Sequence, residues 1–91
     1  MAISESFLET QSQLRATLAR RVKERRQLSN LSQRDLAERA GIRQALVSQI
    51  ELGEANVTLD SLLRIAIALD VDLAGLFAAN GDDPRAGSRS S

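Results

Sequence analysis

The side chains best suited to chemistry on this chain are basic, and they are concentrated in its first half. Residues 15–43 contain nine Arg and Lys residues against three acidic ones, whereas residues 44–83 contain one Arg against seven acidic ones. A segment of net charge +6 followed by one of −6 indicates one face that binds an anion and another face with a different role. Charge alone leaves a plainer alternative open, in which the charged residues only solvate helix surfaces.

The residue types that the chain lacks exclude most enzyme chemistry. Its 91 residues include no His and no Cys, so imidazole catalysis, thiolate nucleophiles, disulfides and most transition-metal sites are excluded. Asp82 and Asp83 lie in a polar tail that cannot hold them as a preorganised pair. We therefore expect a protein without catalytic activity, without a cofactor or metal, and without a small-molecule ligand.

The apolar runs and the start of the chain bear on location. No apolar stretch approaches the ~20 residues that a membrane span requires. Polar residues interrupt the first ten positions, which is not typical of a signal peptide. The sequence therefore predicts a cytoplasmic protein with no membrane partner.

Apolar residues recur at helical spacing along most of the chain, so we predict an all-α fold. Leu14, Leu18 and Val22 repeat every fourth residue and indicate the inward face of a first helix, which Phe7 and Leu8 could extend backwards. With their caps, the five predicted helices run over about residues 12–28, 32–41, 43–52, 58–69 and 72–77. The fourth has a broad apolar stripe made of Leu59, Leu62, Leu63, Ala66 and Leu69.

Local signals mark the ends of the second and third helices. Ser32 is a suitable N-cap, and Asp35 completes a capping box with an acid in the first turn. Gly41 follows the second helix as a residue able to adopt the left-handed conformation, and Gly53 closes the third. Because so tight a turn joins two short helices, they must cross steeply, which is the helix-turn-helix arrangement.

Composition divides the chain into three parts. We predict an N-terminal extension over residues 1–13, for which a helical form is open, and a folded domain over residues 14–79. A polar tail follows over residues 80–91. The tail has almost no apolar residues and cannot bury enough surface to become ordered, so we expect it to be flexible.

The segment LSQRDLAERAGIRQALVSQIELGEANVTLDSLLRIAIALDVDLAGLF, residues 31–77, resembles the DNA-binding domain of the phage lambda repressor and Cro family, the XRE-type helix-turn-helix proteins. Ala37, Gly41, Val47 and Ile50 match the small, glycine, apolar and apolar positions of that motif. The resemblance implies a compact five-helix bundle. It also implies a sequence-specific transcriptional regulator, a repressor that binds a palindromic operator in double-stranded DNA as a homodimer.

The same resemblance makes the third helix the one that reads DNA. Val47 and Ile50 turn inward, which leaves the other side chains of this helix outward. An α-helix fits the major groove of B-DNA, where Arg can bind guanine and Gln can bind adenine through two hydrogen bonds each. An Ala can pack on a thymine methyl. The residues expected to contact bases are Arg43, Gln44, Ala45, Ser48 and Gln49.

Other matching positions are expected to hold the domain on DNA or to hold it together. Gln33 matches a family Gln that contacts a phosphate, braces the first Gln of the recognition helix (Gln44), or both. Arg26 and Glu51 match a partly buried salt bridge, which we interpret as structural. Asn56 matches a phosphate-facing position, although a plain turn residue is an equal alternative. The residues expected to contact phosphates are Ser32, Gln33, Asn56, Arg20 and Lys23.

The homodimer implied by the resemblance needs a contact surface. Leu73, Leu76 and Phe77 on the last helix form the predicted interface, and Phe7 and Leu8 offer a rival one. A different class of function also stays open, namely an antitoxin or another protein-binding partner that binds DNA for its own regulation. The acidic second half and the terminal segments would serve that protein partner.

Overall fold

A computed structural model describes residues 3–78, and within that range it is entirely helical apart from turns and loops. Its elements are α1 (Glu5–Leu28), α2 (Gln33–Ala40), α3 (Gln44–Glu51), α4 (Leu59–Ala68) and the 3-10 helix η1 (Leu73–Phe77). The all-α prediction is confirmed, and α2, α3 and α4 lie where the sequence places them. The predicted tail at 80–91, with its two aspartates, lies outside the described residues.

The last element differs from the predicted α-helix. η1 is five residues long, and the Asp72 side chain makes no cap bond to it. Its turn is closed by the Gly75 N–H, which donates to the Asp72 carbonyl at 2.9 Å. A segment this short, with a glycine at its centre, favours the tighter 3-10 turn over an α-helix.

The first helix has the backward extension that the sequence left open. It begins at Glu5, where Ser4 caps it by accepting the Phe7 N–H at 3.1 Å. Leu18 and Val22 are buried, as the predicted inward face requires. The prediction for Leu14 is wrong, since this side chain is 47 % exposed. It lies at the edge of the core, and the apolar residues that precede it on α1 are exposed as well.

The core is aliphatic and draws side chains from every element. The large side chains with essentially no exposure are Val22, Leu36, Val47, Ile50, Ile65 and Leu76. The predicted stripe of α4 is partly wrong, because Ile65 is buried whereas Leu59 and Leu63 are 69 % and 48 % exposed. α4 is apolar on two sides, and only one of them faces the core.

The burial of Leu76 corrects the predicted dimer interface. η1 packs on α1 and α4, and this places Leu76 wholly inside the domain. Leu73 and Phe77 are partly buried against the same core. The last element is therefore mostly a core component, and Leu76 offers nothing to a second subunit.

The start of α2 and the turn between α2 and α3 have the predicted chemistry. The Ser32 hydroxyl accepts the Asp35 N–H and the Asp35 carboxylate accepts the Ser32 N–H, both at 2.9 Å. Gly41 adopts the left-handed conformation at φ +70°, where another residue would be strained. Ala37 and Ala40 are buried, and their small size lets the two helices approach closely. Gly41 and the two alanines thus determine how α3 stands relative to α2.

Candidate nucleic-acid interface

α3 has an inner side and an outer side. Val47 and Ile50 are 0 % and 1 % exposed and fix the helix against α1 and α2. The outer side holds the residues predicted to contact bases, which are Arg43, Gln44, Ala45, Ser48 and Gln49. Four of them are exposed and Ser48 is half-buried. The structure therefore leaves all five at the surface of one helix.

A shallow depression of about 490 Å³ lies beside this outer side. Arg43 and Gln49 line it together with the apolar residues Ile42, Ala45 and Leu46. The depression thus combines hydrogen-bonding groups with apolar contact area. Base edges and thymine methyl groups in the major groove require both kinds of surface.

An ion pair with two hydrogen bonds ties α3 to α1. Arg26 Nε donates to Glu51 Oε2 at 2.7 Å, and Arg26 Nη2 donates to Glu51 Oε1 at 3.0 Å. The two side chains are only 12 % and 5 % exposed. Arg26 Nη1 also donates to the Leu31 carbonyl at 2.7 Å, which fixes the turn before α2. The hydrogen bonds to Glu51 raise the pKa of Arg26, against the opposing effect of burial and with help from the Glu51 charge.

Gln33 joins this pair through Glu51, a partner in addition to the phosphate or the Gln44 side chain that the resemblance implied. Its Nε2 donates to Glu51 Oε1 at 3.1 Å. Arg26, Gln33 and Glu51, which we call the Glu51 network, belong to α1, α2 and α3. One buried carboxylate therefore ties the three helices together. The resemblance led to Arg26 and Glu51 but not to this third partner.

Ser32 is committed to capping α2, and this limits what it can offer a phosphate. Its N–H and its hydroxyl oxygen both bond to Asp35. The hydrogen bonds from Ser32 lower the pKa of Asp35, so a carboxylate charge is held at this helix end. A phosphate there would use the Ser32 hydroxyl hydrogen or the N–H groups of Gln33 and Arg34, which helix geometry leaves unpaired.

Asn56 lies in the loop before α4 and is exposed. Its carboxamide oxygen accepts a hydrogen bond from Arg15 Nη2. The Asn56 amide nitrogen is left as the donor for a phosphate, and Arg15 adds a positive charge next to it. Arg15 carries no signal in the sequence beyond its basic type.

Arg20 and Lys23 lie together on the outside of α1. With Glu24 and Gln27 they line a second depression, of about 400 Å³, to which α1 alone contributes. Glu24 is itself paired with Arg21 at 2.6 Å. Within residues 3–78, this depression shares no lining residue with the one beside α3.

The order of α2, tight turn and α3 matches a known family. The model of the helix-turn-helix family HTH_3 matches residues 22–76, which is more than half of the chain. The chain belongs to this family, of which the XRE-type proteins are part. It is a DNA-binding transcriptional regulator.

Individual relatives agree with the family. The chain is 35 % identical over 68 residues to Control protein C.SmaI of Serratia marcescens, an alignment that covers 75 % of this chain and 81 % of the relative. It is 42 % identical over 48 residues to the uncharacterized HTH-type transcriptional regulator y4dL of Sinorhizobium fredii, which covers 53 % of this chain but 24 % of the relative. The crystal structure of the hypothetical transcription factor NHTF from Neisseria is similar with a TM-score of 0.73 at 29 % identity, over 79 % of this chain and 83 % of that one.

The part of the chain that the structure describes contains neither a cluster of metal-binding side chains nor a helix that could span a membrane. Between residues 3 and 78, no group of three or more side chains of metal-binding type comes together. In the same range, no helix has the length and apolar character needed to cross a membrane. The outer side of α3 is therefore the candidate functional site, since it lies at the surface of the fold and within the residues that the family model matches.

Proposed function

We propose that this chain is a repressor that binds a palindromic operator as a homodimer and inserts α3 into the major groove. The division of α3 into two sides carries this proposal. Its inner side is fixed by Val47, Ile50 and the Glu51 network, while its outer side is polar and exposed. A helix held in this way can present side chains to base edges with little ordering cost on binding.

Base reading would fall to the outer side of α3. Arg43 and Gln44 lie at its N-terminal end, the end whose side chains reach base edges in helix-turn-helix proteins. Ala45, Ser48 and Gln49 follow along the helix. Arg and Gln would select guanine and adenine, and Ala45 would select thymine by packing on its methyl group.

Two amide side chains would make the phosphate contacts nearest to α3. Gln33 and Asn56 each have one polar atom already held by the protein, Gln33 through Glu51 and Asn56 through Arg15. These bonds reduce the rotamer freedom that a phosphate contact would have to remove. Such contacts set the orientation of a protein on the duplex without reading its sequence.

The other three proposed phosphate contacts would act in different ways. Ser32 would donate its hydroxyl hydrogen, against the negative charge of Asp35 beside it. Arg20 and Lys23 would act on a more distant stretch of backbone, since they line a depression of their own. Their contribution would be mainly long-range attraction of the duplex.

A homodimer is proposed because α3 is short. Eight residues can read only a few base pairs, and helix-turn-helix proteins gain specificity by binding two half-sites about one helical turn apart. Two-fold symmetry of the protein then requires a palindromic operator. A dimer bound over a promoter represses by blocking access to it.

Selection of duplexes from a random pool by the full chain tests the DNA reading. We expect enrichment of a palindrome with half-site centres about 10 base pairs or a multiple apart. Binding to that site should weaken with salt, with a log–log slope of about −0.9 per phosphate contacted. Failure to enrich any sequence, or a response that ignores salt, would overturn the proposal.

Repression needs its own experiment. The selected site is placed over the promoter of a reporter gene, and the chain is expressed with it. Wild type should lower reporter output, and a Gln44→Ala variant should lower it less. Output that rises, or that does not change although the site is bound, would contradict repression.

A further inference from the structure

α4 has an apolar ridge on the side away from the core. Leu59, Leu63 and Ile67 are 69 %, 48 % and 70 % exposed and follow one another at intervals of four residues. Side chains four apart lie on one face of a helix, so the three form a continuous ridge. Elsewhere on the same helix, Ile65 and Ala66 are buried in the core. Three large aliphatic side chains in one exposed row mark a surface for association.

The charges next to the ridge separate it from DNA. Asp60 and Arg64 form an ion pair at 2.9 Å on one flank of the ridge. Between residues 59 and 78 there are three acidic residues, and Arg64 is the one basic residue. DNA phosphates are repelled by a net negative charge, so this part of the chain suits a protein better than a nucleic acid.

We propose that the ridge binds the same ridge of a second copy of this chain, with the two α4 helices antiparallel about a two-fold axis close to Leu63. The inference specifies how the homodimer forms and in that respect rests on the proposed function. Leu59 and Ile67 are equally distant in sequence from Leu63, so Leu59 of each copy packs against Ile67 of the other. Ridges of residues four apart interdigitate in the commonest class of helix packing.

The flanking charges favour the same arrangement. Along the flank, Asp60 precedes Arg64 by four residues. In an antiparallel two-fold pair, the flank of one copy faces the same flank of the other copy, with the residue order reversed. Asp60 of one copy therefore comes within reach of Arg64 of the other. A parallel two-fold pair would turn the two flanks away from each other, so these opposite charges would not meet between the copies. Both the apolar spacing and the charge order are therefore complementary to themselves, which favours a second copy over an unrelated protein.

The last element, η1, is less suited than the α4 ridge to form the dimer contact. Leu76 is wholly buried, and Leu73 and Phe77 are partly buried against the core. η1 thus offers only the edges of two side chains. A central contact in an interface needs apolar side chains that the partner can enclose.

The start of α1 is also less suited than the α4 ridge to form the dimer contact. Phe7 and Leu8 are 51 % and 49 % exposed, but adjacent residues on a helix point in different directions. The charged residues closest to them, Glu5 and Glu9, are both acidic. A symmetric contact there would bring carboxylates together.

Sedimentation equilibrium of the full chain without DNA tests the contact. Wild type should dimerise, and Leu63→Glu should raise the dimer dissociation constant by about tenfold or more, because it places a charge at the centre of the contact. Leu28→Glu is the matched control, since Leu28 is 70 % exposed on α1 and not on the ridge. This control should dimerise as wild type does. Circular dichroism checks that both variants remain helical.

Charge exchange tests the antiparallel orientation. Asp60→Arg and Arg64→Asp should each weaken the homodimer, because each gives its flank a single sign of charge. Mixed in equal amounts, the two variants should form heterodimers more tightly than either forms homodimers, since opposite charges then meet. A mixture that behaves like the separate variants would contradict the antiparallel arrangement.

Two results overturn the proposed contact. One is a wild-type chain that stays monomeric, and the other is a Leu63→Glu chain that dimerises like wild type. Loss of the dimer in Phe7→Glu but not in Leu63→Glu would move the contact to α1. The sedimentation experiment contains no DNA. A chain that does not dimerise through the ridge but still selects a duplex sequence would therefore refute the proposed contact without refuting the proposed DNA binding.

Discussion

α3 and α4 both turn one side of a short helix outward, but the two sides are built differently. The outer side of α3 is polar, and the Glu51 network holds that helix in place. The outer side of α4 is an apolar ridge with one exposed ion pair on its flank. A fixed polar surface is suited to recognition by hydrogen bonds, whereas an apolar surface associates by excluding water. The comparison indicates two tasks on two helices of one small domain.

The anchors behind these helices also differ. Arg26 of α1 forms an ion pair with Glu51 of α3. Arg21 of α1 donates to the backbone of η1, which packs on α4. Arg21 Nε donates to the Gly75 carbonyl at 3.0 Å. The carboxylate that meets Arg26 is 5 % exposed, whereas Glu24, which meets Arg21, is 45 % exposed. The anchor behind α3 has the more deeply buried acid, so its loss should cost more.

The largest effect is expected from Glu51→Ala. Among residues 3–78, the Arg26 charge would keep only the Leu31 carbonyl as a hydrogen-bond partner. Breaking a buried pair in this way typically costs about 3–5 kcal/mol of the free energy of unfolding. Urea denaturation measures the loss. Glu38→Ala is the control, because Glu38 and Arg34 form an exposed pair at 3.6 Å whose loss should hardly change stability. Equal stability of the two variants would show that Glu51 is not an anchor.

A smaller effect is expected on the other side of α1, from Arg21→Met. The Met keeps much of the apolar stem but leaves the Gly75 carbonyl without its donor, which costs about 1–3 kcal/mol. Lys23→Met is the control, since Lys23 is exposed on the same helix. The same denaturation experiment applies. A loss as large as that of Glu51→Ala would remove the difference between the two anchors.

The smallest effect is a pH dependence at the start of α2. The hydrogen bonds from Ser32 lower the pKa of Asp35 below its ordinary value of 3.8 in the folded chain. The ionised carboxylate therefore stabilises the fold above that ordinary value, and this contribution is lost as the pH falls through the lower folded value. Asp35→Asn should be less stable than wild type at neutral pH, and the gap should narrow in acid. Thermal unfolding across this range measures it, and a constant gap would contradict the account.

How far the sequence predicts the fold depends on whether a signal is local. The ends of α2 and α4 could be placed because Ser32, Gly41 and Thr58 act on backbone groups a few residues away. The buried side of α4 could not be predicted from the sequence, because aliphatic residues lie on two of its sides. Its packing against α2 and η1 decides that Ile65 is buried and Leu59 is not.

The site shows the same limit. The two sides of α3 follow from the apolar spacing of Val47 and Ile50, and Arg26 with Glu51 came from the resemblance. The bond from Gln33 to Glu51 joins positions 18 apart, and the bond from Arg21 to the Gly75 carbonyl joins positions 54 apart. No periodicity relates residues at such separations, so only the packed structure brings them together.

The outer side of α3 should read the DNA sequence, while the residues around it should only position that helix. Fluorescence anisotropy at fixed salt tests this most directly, with the duplex selected from a random pool and a scrambled duplex of the same composition. Gln44→Ala should lose about 1–3 kcal/mol on the selected duplex and almost nothing on the scrambled one. Gln33→Ala, the control, should weaken both alike. Equal losses for Gln44→Ala on the two duplexes would contradict the claim.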